Sequence, residues 1–259
     1  MSKHSKNEGK KNIIIIIQLI FWAILIYSLI QIVNWYIHNK QNKKIMEEIS
    51  SSITVVEDEQ NRGYEEIVEN NYKIDFETLK QVNSDMVAFL KVNGTQIEYP
   101  IVKTTNNEYY LKHSFDKKYN AAGWIFADYK NKFDGSDKNI VIYGHNRKNG
   151  TMFSSLKNVL NKNWYDDEGN LKINLITEND SYSYQVFSVY KIKKEEYYLQ
   201  TSFKNDVMYL RFIETLKKRS IKNFDIDVTE QDKILTLSTC ANDNDYRVVL
   251  HAKKLINNI

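Results

Sequence analysis

The chain has 259 residues, 42% of them hydrophobic and 27% charged, with a formal net charge of +3. A mean hydropathy of −0.54 with 13% aromatic residues supplies a core for one large domain or two small ones; it excludes a disordered chain and a polytopic membrane protein. One Pro and eight Gly exclude collagen-like and Pro-rich low-complexity architecture, and a single Cys excludes an internal disulfide and a cysteine-based zinc cluster. The positive charge is local. Residues 1–44 hold seven of the 36 basic residues against one acid, Glu8, so the remainder is net acidic. A nucleic-acid partner would need a basic stripe on the folded part, and none is evident.

From Ile13 to Ile37 the sequence runs IIIIIQLIFWAILIYSLIQIVNWYI without a charge. At about 1.5 Å per residue, a helix of this length crosses a hydrocarbon layer of roughly 30 Å with some tilt. Trp35 and Tyr36 fall where interfacial aromatics are expected. A cleaved leader has a shorter apolar core followed by a small-residue site, whereas here Trp35-Tyr36-Ile37-His38 follows. The expectation is an uncleaved, single-pass anchor over residues 13–37, with residues 1–12 on the cytoplasmic side. Four Lys before the span against three just after it favour that orientation. Residues 38–70 read as a polar, partly helical stalk, and 71–259 as the functional domain.

In the domain, Phe76–Asn83 reads as a short helix capped by Asp75. Val87–Val92, an Asn93-Gly94 turn and Gln96–Val102 form a hairpin pattern. Further strands are expected at Gly123–Ala127, Asn139–Tyr143, Lys172–Ile176, Ser183–Ile192, Lys233–Ser238 and Arg247–Leu255. Helical stretches are expected at Met152–Val159 and at Asp206–Arg219, the second with Val207, Leu210, Ile213 and Leu216 on one apolar face. Many short strands and few helices predict a mainly β protein, a closed or nearly closed barrel with appended helices.

Two strand ends carry reactive side chains. Asn139-Ile-Val-Ile-Tyr143-Gly144 ends in His145, and Ile234-Leu-Thr-Leu-Ser238-Thr239 ends in Cys240, the only thiol; Arg247 then opens the last strand. A free thiol with a pKa of about 8.5 is mostly protonated at neutral pH. A nearby imidazolium or guanidinium favours the thiolate, which can attack an acyl carbon. The same imidazole can protonate a leaving amine, and a guanidinium can hold an oxyanion. Spacing alone favours an inert buried Cys, a structural His and a solvated Arg. His251 reads as a strand-face structural residue, and His113 lacks a second ligand at metal spacing. Asp243 and Asp245 could pair with Arg247 or simply solvate their loop.

Thr236-Leu-Ser-Thr-Cys240, with an Arg several residues on and Tyr143-Gly-His-Asn146 upstream, resembles the signature of sortases, the membrane-anchored cysteine transpeptidases of Gram-positive bacteria. The resemblance spans roughly Asp75 to Ala252 and points to class B. Ile97-Glu-Tyr-Pro-Ile-Val102, Asn107-Glu-Tyr-Tyr-Leu111, Gly123-Trp-Ile-Phe-Ala-Asp-Tyr129 and Gly150-Thr-Met-Phe153 also carry it, as does the helical insert before the Cys strand. It implies an eight-stranded sortase-type β-barrel with N-terminal helices. It implies Cys240 as nucleophile, His145 as general acid/base and Arg247 as holder of the substrate carbonyl and oxyanion, with no metal or organic cofactor. Asn107, Leu111, Tyr198, Leu199 and Ser238 match the family's substrate groove. The implied partners are exported proteins bearing a C-terminal sorting motif, cut after Thr, and an amino group of peptidoglycan or its precursor. The implied location is the cell membrane with the catalytic domain outside. Two rivals stand beside this reading: a non-catalytic, membrane-tethered wall-binding module, and a cysteine peptidase that releases its product to water. No Ser-His-Gly-Cys-like segment of an L,D-transpeptidase lies near Cys240.

Overall fold

The structure is a computed structural model that describes residues 3–56, 71–240 and 246–255. The apolar N-terminal run lies in one helix, α1 (Lys3–Ser50), whose portion Asn12–Ser50 is long and apolar enough to cross a membrane. Ile13–Ile17, Phe21, Trp22 and Ile32 are all exposed on it.

The chain divides into two compact units, Met1–Lys44 and Ile45–Ile259. Within the second unit, Ile45 and Ile49 are buried in the main apolar cluster with Phe76 and Leu79. Next, β1 (Ile53–Val56) pairs antiparallel with β2 (Asn71–Ile74). The stalk expected over 38–70 therefore ends earlier than its polarity suggests. The spaced Ile45, Ile49 and Ile53 pack onto the domain, and the segment from Ile45 to Val56 belongs to the folded body. Residues 57–70 lie outside the described residues. Helix α2 (Phe76–Val82) opens on Asp75, whose carboxylate accepts from the Thr78 amide at 2.9 Å.

Eight strands follow: β3 (Met86–Val92), β4 (Ile97–Val102), β5 (Phe126–Ala127), β6 (Asn139–Gly144), β7 (Lys172–Ile176), β8 (Ser181–Lys193), β9 (Ile234–Cys240) and β10 (Tyr246–Lys254). They close into a barrel in the order β10-β8-β7-β3-β4-β5-β6-β9. The β4–β5 and β6–β9 pairs are parallel and the others antiparallel. The β3–β4 hairpin turns at Gly94, which sits at φ +65, a conformation glycine adopts without steric cost.

Two expected elements differ. The strand expected from Gly123 shrinks to Phe126–Ala127. Gly123 is a left-handed turn residue (φ +60), and the Trp124 amide donates to the Tyr110 carbonyl at 2.9 Å instead of to a ladder. The helix expected at Met152–Val159 is a 3₁₀ helix at Ser154–Leu160, because Met152 has φ +57 and bridges to Asn146. A four-residue helix, α3 (Lys162–Tyr165), follows it.

Helix α4 (Asp206–Arg219) forms as expected, N-capped by Asn205, but its buried face is Tyr209, Phe212, Ile213 and Leu216. Val207 is exposed and Leu210 only partly buried, because two aromatics outcompete the aliphatics for the barrel wall. Two apolar clusters result. One fills the barrel, with Leu90, Ile142, Leu235, Leu237 and Leu250. The other lies outside it, where α4 packs on Phe187, Tyr190, Ile234 and Val249. The period of two along β9 and β10 thus sends Leu235 and Leu237 inward while Ile234 and Val249 face α4. Thr236 and Ser238 share the outward phase.

Candidate active site

Parallel pairing of β6 with β9 runs from Asn139↔Ile234 to Gly144↔Thr239. Both strands therefore end at the same rim of the barrel, with His145 following Gly144 and Cys240 following Thr239. Antiparallel pairing sets Arg247 opposite Cys240. The topology brings the backbone positions of all three expected catalytic residues to one rim. The Cys240 side chain and residues 241–245, including Asp243 and Asp245, lie outside the described residues.

A cleft of about 400 Å³ opens at that rim, and His145, Arg247 and all five expected groove residues line it. Leu111 offers an exposed apolar wall. The Asn107 amide is held at both ends: Nδ2 donates to Asp128 at 2.9 Å and Oδ1 accepts from the Tyr129 amide at 3.0 Å. Tyr198 is buried, as is Ser238, and their hydroxyls lie 3.0 Å apart. Ser238 thus reaches the cleft chiefly beneath Tyr198.

His145 is held through one ring nitrogen. The Leu111 carbonyl, which can only accept, lies 3.0 Å from Nε2, so Nε2 carries a proton and the neutral ring keeps its lone pair on Nδ1. Leu111 sits in a 3₁₀ turn, Tyr109–Leu111. Tyr110 anchors that turn in the core by donating to Asp85 at 2.8 Å and accepting from Asn83 at 2.8 Å. Burial pushes the His145 pKa below its usual value; the Leu111 contact opposes this, and the Arg147 and Arg247 charges add to it. Arg247 is half-buried, and its guanidinium donates to the Tyr246 carbonyl at 3.2 Å.

Further residues complete the cleft without having been assigned a role from sequence. Phe126, Tyr143, Lys194, Glu195, Glu196 and Thr239 line it. Asp128, nearly fully buried, accepts from Tyr143 at 2.7 Å as well as from Asn107. Tyr143 was findable, since it shares the strand phase of His145 two residues on. Asp128 was not, because its role depends on a contact between distant loops. Gly123 packs so tightly that a Cβ there would lie 2.9 Å from His145 Cδ2 and 2.5 Å from the Tyr110 carbonyl.

Two other histidines, His113 and His251, have structural surroundings. His113 stacks on Tyr109 at 3.9 Å, with Nδ1 2.6 Å from that residue's carbonyl. His251 is fully buried between Tyr190 and Thr236. Among the described residues no cluster of three His, Cys, Asp or Glu could hold a metal ion.

A family profile described as Sortase domain matches residues 90–255. The chain is 30% identical over 246 residues to the Staphylococcus aureus protein named Sortase B, covering 94% of this chain and 97% of that one. The crystal structure of sortase B from Bacillus anthracis in complex with AAEK1 superposes with a TM-score of 0.71 at 32% identity, over 85% of this chain and 99% of that one. A Staphylococcus aureus sortase B–substrate complex matches with a TM-score of 0.66 at 33% identity, over 71% and 85%. With a barrel, a rim and a cleft of this arrangement, the chain belongs to the sortase family as a class B sortase, a cysteine transpeptidase.

Proposed function

We propose that the enzyme cuts a C-terminal sorting motif after Thr and joins the freed carbonyl to an amino group of peptidoglycan or its precursor. Cys240 is the nucleophile in this reading. The neutral His145 ring takes the thiol proton on Nδ1, the resulting thiolate adds to the Thr carbonyl carbon, and the Arg247 guanidinium holds the oxyanion with its fixed fork of donors. The tetrahedral intermediate collapses as the C–N bond breaks, and His145 gives its proton to the departing amine. The thioester left on Cys240 is then attacked by the acceptor amine, which loses a proton to His145. The thiolate leaves and a new amide bond remains.

The observation that carries this reading is the cleft itself. It gathers His145 and Arg247 beside the backbone of Cys240 and adds Asn107, Leu111, Tyr198 and Leu199 as walls for an extended peptide. The Staphylococcus aureus relative solved with its substrate supports a peptide occupant. The exposed apolar helix at the N-terminus supports a membrane anchor over residues 13–37. The sorting substrates and the wall acceptor then require the N-terminus inside and the catalytic body outside.

The test is intact mass spectrometry of the protein with a panel of Thr-containing pentapeptides, with and without an amine acceptor. The expected result is an acyl adduct on Cys240 that the amine converts to ligated peptide, and no adduct in Cys240→Ala. Adducts resolved only by water would make the protein a peptidase instead. Turnover by Cys240→Ala would remove the nucleophile assignment. His145→Ala should lose about 10²–10⁴ in rate, the usual worth of a positioned acid/base.

A further inference from the structure

A chain of hydrogen bonds crosses the outer face of the barrel beneath the cleft, and every link has a single direction. Asn139 Nδ2 donates to the Gln200 carbonyl at 2.9 Å, which leaves Oδ1 as an acceptor. Thr236 Oγ1 donates to that Oδ1 at 2.7 Å. With its proton so placed, Thr236 can only accept from His251, whose Nδ1 is 2.9 Å away. Complete burial pushes the His251 pKa down to about 3, so the ring is neutral and Nε2 bears no proton. Nε2 therefore accepts from the Tyr190 hydroxyl at 2.8 Å. The Tyr190 oxygen in turn accepts from the Tyr197 hydroxyl at 3.2 Å.

The chain starts on Tyr197 and ends on Gln200. These residues bracket one short segment, the turn Tyr197–Leu199, which carries Tyr198 and Leu199 into the cleft. The intermediate links come from β8, β10, β9 and β6, four consecutive strands of the barrel. Between the two ends, Ser238 bonds Tyr198, whose ring packs edge-on against Tyr190 and His251 at 6.4 Å from each.

We propose that His251, together with Tyr190, Thr236 and Asn139, positions the peptide-binding wall: the chain clamps residues 197–200 to the barrel so that Tyr198 and Leu199 stand ready for the sorting peptide. This rests on the reading of the cleft as the peptide groove. A wall held beforehand spares the peptide the entropy of ordering it. The imidazole suits the task because it presents one donor and one acceptor on opposite sides of a flat ring, joining two hydroxyls too far apart to meet. An apolar ring in its place leaves a buried Tyr hydroxyl and a buried Thr hydroxyl each short of a partner.

The test compares Tyr190→Phe, His251→Phe, His251→Gln and Leu199→Ala in the full-length chain in detergent. Steady-state kinetics use the Thr-containing pentapeptide that the wild type turns over. The second readout is the rate at which a small methanethiosulfonate reagent modifies Cys240, which reports an intact rim independently of the peptide wall. Tyr190→Phe and His251→Phe should raise KM about 10-fold, the usual scale for one buried polar group left without its partner. Their kcat and thiol modification rate should stay within about twofold of wild type. His251→Gln, whose amide keeps one donor and one acceptor, should recover part of the KM. If His251→Phe fails to fold, Tyr190→Phe decides alone. An unchanged KM in Tyr190→Phe, with Leu199→Ala raising KM, overturns the clamp and leaves the groove standing. An unchanged KM in Leu199→Ala overturns both. Thiol reactivity that falls in step with peptide affinity also overturns the clamp, because the chain would then serve stability alone.

Discussion

The two ring nitrogens of His145 have unequal surroundings, and that inequality sets its chemistry. Nε2–H is committed to the Leu111 carbonyl, so in the proposed reaction proton exchange with the thiol and the leaving amine falls to Nδ1. Burial, reinforced by the Arg147 and Arg247 charges, holds the imidazole pKa below its usual 6.5 and keeps the ring neutral at physiological pH. The acid limb of kcat/KM should accordingly lie below pH 6.5. Removing the Arg147 charge with Arg147→Met removes one contribution that lowers the pKa, so the limb should move to higher pH; a limb that stays put would separate Arg147 from the titration. For Arg247→Lys, kcat/KM should fall by about 10²-fold or more, the scale of a lost oxyanion donor. A point-charge ammonium does not reproduce the guanidinium fork, and wild-type kinetics in that variant would leave Arg247 a surface charge.

Among the elements, the end of β6 is tightly constrained. A Cβ at Gly144 would lie 2.5 Å from the Phe153 ring, which is fully buried and has nowhere to move. Gly144→Ala should therefore cost about 1–3 kcal/mol in chemical denaturation, as overpacking does, and should displace His145 one residue on. Elements with a strong local signal were legible in the sequence. The Asp75 cap, the β3–β4 hairpin, the apolar runs of β6 and β9 and the bulk of α4 lie where patterning puts them. What the pattern missed depends on tertiary choice. The outward phase of Thr236 and Ser238 is a simple alternation, yet nothing local says that α4 would cover it with Tyr209 and Phe212 instead of Val207 and Leu210. The cleft followed the same division. His145, Arg247 and the five groove residues were findable through a family motif and are brought together. Asp128 and Gly123 act through loop-to-loop approach, which has no period to read.

For the molecule as a whole, the boundary between tether and body has a measurable consequence. Ile45 and Ile49 are buried in the main core, and β1 is the only strand paired to β2 among the described residues. A chain starting at residue 45 should keep the denaturation midpoint of the full body. One starting at residue 57 should lose about 3 kcal/mol or more from the two buried isoleucines alone, besides leaving β2 without a partner. Equal stability of the two truncations would show that 45–56 contributes nothing to the fold.

The cyclic strand order carries a different consequence, for the moment at which the enzyme comes alive. The last two barrel strands among the described residues, β9 and β10, are inserted between β6 and β8, and they also carry Cys240 and Arg247. Until they arrive, β6 and β8 present open edges and the rim holds only an imidazole. Their pairing with β6 and β8 spans long stretches of chain and is entropically slow. The thiol therefore emerges after every barrel strand except β10, and it meets the imidazole in the same event that seals the sheet. A nascent or cut-short chain is then not a weak enzyme but an unarmed one, and reactivity becomes a reporter of completed folding.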